Sequence, residues 1–311
     1  MSDEIIRIQS RLSDLQIALL HKYPKIISKE EPILFIHGSS FSAGLSFGFR
    51  MNNYSWMDHL KDKGYDVYAL DFLGYGNSDL YPEMNTGVFN GIACGRAADI
   101  CGDIDNAVDF IIKNTGKRKV NLIAHSWGGS VAALYTSKNN RKINKLVLFA
   151  AITCKNSSTP YLTIEKPYEA LTPHQRIEAM RSLTPDNQVC QLGDEIFETW
   201  GPLWLQSNGG NKEVSIGFVR FPAGPLQDVE DLLHNRTYYN PEALEVPVLI
   251  IRGEWDGYPN NADAHALLLA LSNAPYKKYV VIEKGTHVMH LEKCRFKLYD
   301  EVFGFLERDE L

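Results

Sequence analysis

The sequence predicts an α/β fold in which helices cover both faces of a mostly parallel sheet and a long insertion interrupts the core. Short apolar runs bounded by glycine-containing turns recur along the chain, and helix-length spans separate them. This alternation stops over residues 153–246 and then resumes. A length of 311 residues with 44% hydrophobic content fits one large domain with an inserted subdomain.

Six apolar runs are the candidate parallel strands, because each is short, nearly continuous and flanked by turn residues. They occupy residues 33–36, 67–70, 120–124, 146–152, 248–251 and 279–282. Residues 5–23 alternate imperfectly instead, which predicts an antiparallel hairpin at the edge of the sheet with Ser13-Asp14 as its turn.

Four spans between the strands have helical patterns, at residues 96–113, 127–137, 262–271 and 292–307. In the first of them the apolar residues recur at a helical spacing and share one face. Three acidic residues fall on the remaining surface of that helix and predict a solvated face, namely Asp99, Asp103 and Asp105.

Residues 153–246 predict a lid (cap) subdomain over the strand ends, which leaves residues 1–152 and 247–311 as the core. The segment is too rich in aromatic and aliphatic side chains for a disordered linker. Helices are expected at 173–181 and 228–235, and a turn at 207–211. Four lid aromatics are candidate substrate contacts: Trp200, Trp204, Phe218 and Phe221.

Residues 124–129, Ala-His-Ser-Trp-Gly-Gly, follow the third strand directly and lead into a helical pattern. In such a strand–turn–helix the chain doubles back so sharply that Ala124 and Gly128 must be small. Ser126 is thereby held clear of the sheet and can attack an ester or amide carbonyl if a base and an acid are near. The alternative is an ordinary serine at a helix N-terminus. His125 either lines the pocket or packs beneath the turn.

The base and the acid are predicted at the carboxyl ends of the last two strands, which meet the serine at one edge of a parallel sheet. His287 would take the serine proton, and Asp256 would orient its imidazole and stabilise the imidazolium. Glu254 is the alternative acid. His290 forms a His-x-x-His spacing with His287, but no third metal ligand is signalled, so a place at a helix N-terminus is favoured.

Five motifs in this order resemble the α/β-hydrolase family, and the resemblance covers nearly all of residues 31–306 outside the lid. The motifs are Phe35-Ile-His-Gly-Ser39, the Asp71–Asp79 loop, the Ala124–Gly129 turn, Gly253-Glu-Trp-Asp256 and Gly285-Thr-His287. Alanine at 124 is a departure, since glycine is commoner there. The resemblance implies an eight-stranded, mostly parallel sheet with a lid after the sixth strand, and it favours Asp256 over Glu254.

The same resemblance implies where an oxyanion hole would lie. One donor would be the backbone N–H of Trp127, directly after the nucleophile. The second would come from the loop after the first parallel strand, with Ser39 as the first choice and Ser40 as the next. Asp228 and Asp231, near the end of the lid, are expected at surface positions of a helix.

The charge and composition of the chain limit the kinds of molecule that it is expected to bind. The net charge is -6 and no basic stretch is interleaved with aromatics, which disfavours nucleic acid. No apolar run reaches membrane-spanning length, and the acidic N-terminus lacks a visible secretory signal. Five scattered cysteines suggest unpaired thiols in a cytoplasmic protein. We expect a monomer or homodimer acting on a small molecule without a metal or organic cofactor.

A serine nucleophile disfavours the dehalogenases and epoxide hydrolases of the family, which use aspartate. Acyl transfer to water remains, and a large lid suits a carboxylic ester or lactone of a bulky, partly apolar substrate. Serine esterases that open macrolide lactone rings are similar in layout and give the most specific expectation. The alternatives are a carbon–carbon bond hydrolase, a lyase or a cofactor-free peroxidase-like activity on the same triad, and a non-catalytic ligand receptor.

Overall fold

The computed structural model describes residues 4–86, 88, 91–207 and 217–308 and confirms the predicted fold class. Its centre is an eight-stranded sheet with the order β1-β2-β4-β3-β5-β6-β9-β10. A separate antiparallel pair, β7-β8, lies in the lid segment, residues 153–246. The strands are β1 Glu4–Gln9, β2 Gln16–Lys22, β3 Ile33–Ile36, β4 Val67–Asp71, β5 Val120–His125, β6 Ile143–Phe149, β7 Tyr168–Leu171, β8 Val219–Pro222, β9 Val248–Gly253 and β10 Lys277–Ile282.

The predicted hairpin forms one edge of the sheet. Strands β1 and β2 pair antiparallel, with Glu4 opposite His21, and the Ser10 N–H donates to the Leu15 carbonyl across the turn. Strand β2 is also antiparallel to β4, whereas all the other neighbours in this sheet are parallel. The carboxyl ends of β3, β5, β9 and β10 therefore point to one edge.

Both faces of the sheet are covered by helices, which is why the strand runs are apolar without alternation. On β3, Ile33 and Phe35 pack with residues of α2 and α10, whereas Leu34 and Ile36 pack with α4 and α5. The helices are α1 Ala43–Ser46, α2 Trp56–Asp62, α3 Pro82–Thr86, α4 Ala97–Thr115, α5 Trp127–Asn139, α6 Pro173–Arg181, α7 Gly201–Gln206, α8 Gly224–Leu233, α9 Asn261–Ala270 and α10 Arg295–Leu306.

Strand β6 ends at Phe149, although the apolar run continues to Ile152. Ala150 has a φ of 47°, so the chain leaves the strand there. The next residues stay buried because Ala151 packs against the start of α5 and the Ile152 N–H donates to the Ser126 carbonyl. Hydrophobicity alone does not distinguish residues buried in the strand from residues buried in the turn that follows it.

One acidic residue on α4 is not where the sequence predicts it. Asp103 is fully buried rather than solvated, and it accepts hydrogen bonds from the Ser10 hydroxyl and from the Arg11 backbone and guanidinium. These partners lie in the hairpin turn, which is distant in sequence from α4. Asp99 is exposed as predicted, and Asp105 is half-buried and paired with Lys142.

The lid segment holds α6, α7, α8 and the β7-β8 pair. Helix α6 begins as predicted, at a capping box between Thr172 and Gln175. Helix α8 begins at Gly224, four residues before the predicted start, because Pro225 lies in the first turn, where its missing N–H costs no bond. Beyond Ser207, the turn predicted at 207–211 lies outside the described residues.

The five cysteines are all unpaired. Among the described residues, none of the helices has the length and apolar composition that crossing a membrane requires.

Candidate active site

The turn between β5 and α5 holds Ser126 in a strained conformation, with φ 58° and ψ -129°. Hydrogen bonds from several directions impose this conformation. The Ser126 N–H donates to the Phe149 carbonyl at 2.9 Å, and the Ser126 carbonyl accepts from Gly129 and Ile152. The nucleophile candidate therefore has a fixed backbone, as a serine that must attack along one direction requires.

Close packing explains the small residues of this turn. A Cβ on Gly128 would lie 2.1 Å from the His37 carbonyl oxygen, and one on Gly129 would lie 2.4 Å from the Ala151 Cβ. Ala124 is fully buried, so alanine satisfies the position where glycine is commoner.

The structure brings together the three residues predicted as nucleophile, base and acid. The Ser126 hydroxyl lies 2.7 Å from His287 Nε2, and His287 Nδ1 lies 3.0 Å from Asp256 Oδ2. Asp256 is 5% exposed and the His287 side chain 18%. Glu254 is exposed, and its carboxylate accepts a hydrogen bond from the Lys284 N–H instead. Asp256 is thus the carboxylate that the imidazole contacts.

The loop that carries Asp256 is held by Arg252, which no local sequence pattern identifies. Arg252 is 2% exposed, donates through Nε to the Pro259 carbonyl at 2.8 Å and donates through Nη2 to the Asp256 carbonyl. The second carboxylate oxygen of Asp256 accepts from the Tyr258 N–H at 3.1 Å. These contacts fix the carboxylate that faces the imidazole.

The loop that carries His287 is held from inside by Glu292, which was not predicted from the sequence. Its buried carboxylate accepts from the Thr286 N–H at 3.0 Å and from the Thr286 hydroxyl at 2.6 Å. Burial raises the pKa of Glu292 above its ordinary value. A glutamate six residues from a threonine carries no recognisable local signal, so only the folded loop reveals this pair.

Of the two places predicted for His125, the structure shows packing beneath the turn, which corrects the alternative that it lines a pocket as a substrate contact. It is 3% exposed, its ring stacks on Phe149 with centroids 4.6 Å apart, and its Nε2 donates to the His287 carbonyl. Burial lowers its pKa well below the ordinary value, so the ring is neutral. The ring supports the chain on which the base is mounted.

His290 is also buried and does not form a metal pair with His287. It lies in a short 3-10 turn, Met289–Leu291, and its Nε2 is 3.0 Å from the Ser46 hydroxyl. Desolvation lowers its pKa to about 3. Within the described residues, no group of three His, Cys, Asp or Glu side chains has a metal-binding arrangement.

The loop after β3 approaches the nucleophile closely. A Cβ on Gly38 would be 3.1 Å from the Ser126 Cβ, which requires glycine or a small shift. The Tyr75 hydroxyl donates to the Ser39 carbonyl at 2.6 Å, and His37 accepts from the Phe72 N–H. Ser39 is half-buried and Ser40 is buried. The predicted oxyanion segment is therefore anchored next to Ser126.

The side chain of Trp127 is held by a lid residue. Its Nε1 donates to Asp228 Oδ2 at 2.9 Å, and Asp228 also accepts from the Ala97 N–H and from the Arg96 guanidinium. Asp228 is 1% exposed, so its predicted surface position is wrong. Its partner is 101 residues away, and no local pattern identifies such a contact.

Asp231, one turn further along α8, is half-buried. It pairs with the Arg96 guanidinium and accepts from the Tyr161 hydroxyl at 2.7 Å. The two aspartates of α8 therefore attach the lid segment to the start of α4 through one arginine.

Three of the four predicted lid aromatics form one cluster, which we call the lid aromatic cluster: Trp200, Trp204 and Phe221. Ring centroids are 5.3 Å apart between Trp200 and Trp204, and 6.3 Å apart between Trp204 and Phe221. Trp200 also contacts Phe41, in the loop after β3, at 5.3 Å. Phe218 is 45% exposed and outside this cluster, which differs from its prediction as a pocket contact.

Acidification is expected to destabilise the fold partly through His290. Its folded-state pKa, about 3, lies below the ordinary histidine value of 6.5. The contribution of neutral His290 to the free energy of unfolding is therefore complete above pH 6.5. It is lost as the pH falls toward 3, because in this range only the unfolded chain takes up the proton on this residue. At pH 5 the loss from this residue is about 2 kcal/mol in the free energy of unfolding.

Urea denaturation at pH 7 and pH 5 measures this contribution. The drop in unfolding free energy between the two pH values should be smaller in His290→Gln than in the wild type, whatever the stability of the variant at pH 7. Equal drops in the two proteins would show that His290 does not carry this pH dependence.

Comparison with known proteins places this geometry in a family. A family profile described as alpha/beta hydrolase fold matches residues 31–293. A non-heme chloroperoxidase of Kitasatospora aureofaciens is 25% identical over 286 residues, which cover 85% of this chain and 89% of the relative.

Solved structures agree with the profile. A probable hydrolytic enzyme from Pseudomonas aeruginosa PAO1 superposes with a TM-score of 0.71 at 17% identity, covering 99% of this chain and 95% of that one. An esterase from Exiguobacterium antarcticum superposes with a TM-score of 0.60 at 16% identity, covering 97% and 99%. At these identities the structural likeness establishes the fold alone.

Proposed function

This chain belongs to the α/β-hydrolase fold family, and on that premise we propose that it is a serine hydrolase that cleaves a carboxylic ester or lactone of a bulky, partly apolar substrate. One observation carries the proposal. Ser126, His287 and Asp256 are joined in series by hydrogen bonds of 2.7 and 3.0 Å. This is the arrangement in which a neutral imidazole activates a hydroxyl and a carboxylate stabilises the resulting cation.

The reaction follows from that geometry. The Ser126 oxygen attacks the carbonyl carbon while its proton passes to His287 Nε2, and Asp256 stabilises the imidazolium. The tetrahedral intermediate then collapses, and His287 returns the proton to the departing alcohol oxygen. Water attacks the acyl-enzyme by the same route in reverse and releases the acid. In a lactone the alcohol and the acid stay joined, so the product is the opened ring.

The negative charge of the intermediate needs donors on the other side of the carbonyl. We assign the backbone N–H of Trp127 and of Ser39, with Ser40 as the alternative for the second donor. The anchoring of Ser39 by Tyr75 and of Trp127 by Asp228 supports this assignment, since donors must be fixed before charge develops. Each donor is worth about 3–4 kcal/mol at the transition state.

The lid segment supports the finer proposal of a bulky substrate. The lid aromatic cluster brings large apolar side chains to the loop after β3, which carries the second proposed oxyanion donor, through the contact of Trp200 with Phe41. Apolar walls with few polar groups are typical of sites for drug-sized ligands. A macrolide lactone is the most specific form of this proposal.

Screening by mass spectrometry tests the function. Wild type should add one water to members of a panel of esters and lactones that includes macrolides, and the Ser126→Ala variant should not. Product analysis separates hydrolysis from carbon–carbon cleavage or elimination. Binding without turnover of any ester or lactone would favour a ligand receptor and contradict the proposal.

A second candidate is a cofactor-free peroxidase-like activity at the same serine. It is favoured by the similarity to a protein named as a non-heme chloroperoxidase over most of both chains. Halogenation of a dimedone probe with peroxide, bromide and a carboxylic acid would detect it. Ester hydrolysis that greatly exceeds this activity would exclude it as the main function.

Substrate choice should depend on the lid aromatic cluster. We expect Trp204→Phe to lower kcat/KM for a bulky lactone by about 10-fold, because a lost apolar contact of this size is worth 1–3 kcal/mol. A short activated ester should change by less than about 3-fold, since it uses little remote binding. Steady-state kinetics on both substrates measures the difference.

Phe218→Ala is the matched control, because Phe218 is exposed and outside the cluster. It should leave both substrates unchanged. Equal losses on the lactone and the short ester in Trp204→Phe, at an unchanged melting temperature, would show that the cluster does not select the substrate.

A further inference from the structure

Helix α6 of the lid carries Arg176, a cation that no carboxylate among the described residues neutralises. Arg176 Nε is out of contact with solvent and has no hydrogen-bond partner. Within the described part of the chain, the guanidinium forms no ion pair, and it contacts the Phe41 ring, 5.3 Å from Cζ to the ring centroid. A cation–π contact alone leaves most of the guanidinium donors unused.

Three other arginines of this chain have structural roles in which they pair with carboxylates. Arg96 pairs with two aspartates of α8, and Arg11 pairs with buried Asp103. Arg181, one and a half turns along α6, is exposed and pairs with Glu178. Arg176 differs from these because its side chain is half-buried, its Nε is shielded from water, and no carboxylate among the described residues pairs with it.

Arg176 lies beside the elements of the active site. Phe41 belongs to the loop that follows β3 and carries Ser39, and its ring also contacts Trp200 of the lid aromatic cluster. The positive charge of Arg176 reaches His125, next to the nucleophile, where it helps to lower the pKa of that imidazole. Desolvation lowers the pKa of Arg176 to about 10, which leaves it a cation at neutral pH.

We propose that Arg176 binds a carboxylate of the substrate, so that the enzyme acts on esters or lactones that carry a second carboxylate, which is not cleaved. The inference rests on the proposed hydrolysis of an ester or lactone and narrows the substrate class to compounds with a second carboxylate, which a macrolide lactone lacks. A guanidinium presents paired N–H donors that match the two oxygens of a carboxylate. Binding this group would satisfy donors that are unpaired in the free protein, and it would fix the acyl chain relative to Ser126.

The experiment compares two ester series of equal chain length. One series is the 4-nitrophenyl monoesters of straight dicarboxylic acids with four to ten carbons, and the other is the matching 4-nitrophenyl alkanoates. Wild type should prefer the monoester at one or two chain lengths, where the carboxylate reaches Arg176. In Arg176→Met, kcat/KM for that monoester should fall at least about 30-fold, because a buried charge pair loses one partner.

The same substitution should leave the neutral series within about 3-fold, since no charge is present to lose. The melting temperature should not fall, because no carboxylate among the described residues pairs with the removed cation. Arg176→Lys should restore part of the preference, as it keeps the charge without the paired donors. Arg181→Met is the matched control on the same helix and should change neither series.

The inference would be overturned if the wild type preferred the monoester at none of the chain lengths. An unchanged preference in Arg176→Met would overturn it as well. Equal losses on both series together with a lower melting temperature would show that Arg176 is structural and would overturn it as well. Hydrolysis of both series that persists in Ser126→Ala, or no hydrolysis of either, would instead contradict the proposed function, and the inference would fall with it.

Discussion

Replacing Ser126 with alanine is expected to lower kcat by about 10³-fold or more while the protein still folds and binds substrate. The reason is that the proton acceptor and the carboxylate have no function without the oxygen that attacks. The hydroxyl donates to His287 Nε2 at 2.7 Å, and the backbone of the turn is held by main-chain bonds that alanine preserves. Kinetics on a short activated ester, together with a thermal melt, measures both parts of the expectation.

Labelling with a fluorophosphonate gives an independent readout. The wild type should be modified at Ser126, as located by peptide mass spectrometry, and the alanine variant should not be modified. The buried Ser130 is a control on the same turn of α5, since its hydroxyl donates to the Trp127 carbonyl instead of to a base. Modification at another serine, or full activity in Ser126→Ala, would contradict the assignment.

Replacing Asp256 with asparagine is expected to lower kcat by up to about 10⁴-fold, because the imidazole loses the anion that orients it and stabilises its cation. Asp256 is the carboxylate that contacts His287 Nδ1, at 3.0 Å. The substitution is nearly isosteric, so the fold should persist. The measurement is kcat for a short activated ester, where remote binding contributes little.

Glu254→Gln is the matched control, because Glu254 lies two residues earlier on the same loop but is exposed and bonded to the Lys284 N–H. We expect it to change kcat by less than about 3-fold, as surface substitutions usually do. If Glu254→Gln caused the larger loss, the acid would be Glu254, and the contact with Asp256 would not be the one used in catalysis.

The fold was largely predictable because its strands and helices carry strong local patterns. Buried parallel strands need apolar residues on both faces, so β3, β4, β5 and β9 stand out as nearly continuous apolar runs. Short helices such as α1 and α3 were not predicted, since one turn of helix is too short to show a period.

The sequence by itself determined the residue types of the candidate site and their places at strand ends. Ser126, Asp256 and His287 each follow a recognisable strand, and small residues at 124 and 128 mark the sharp turn. Because the carboxyl ends of parallel strands meet at one edge, sequence order was enough to expect the three side chains near one another.

Only the tertiary structure decided which residues support this site. The contacts of Asp228 with Trp127 and of Arg176 with Phe41 join lid and core over more than 100 residues of chain. Burial likewise separates His125, beneath the turn, from a residue that lines a pocket. Periodicity records which face of an element is apolar, but partners for buried polar groups are set by packing between elements, and that packing leaves no local pattern in the sequence.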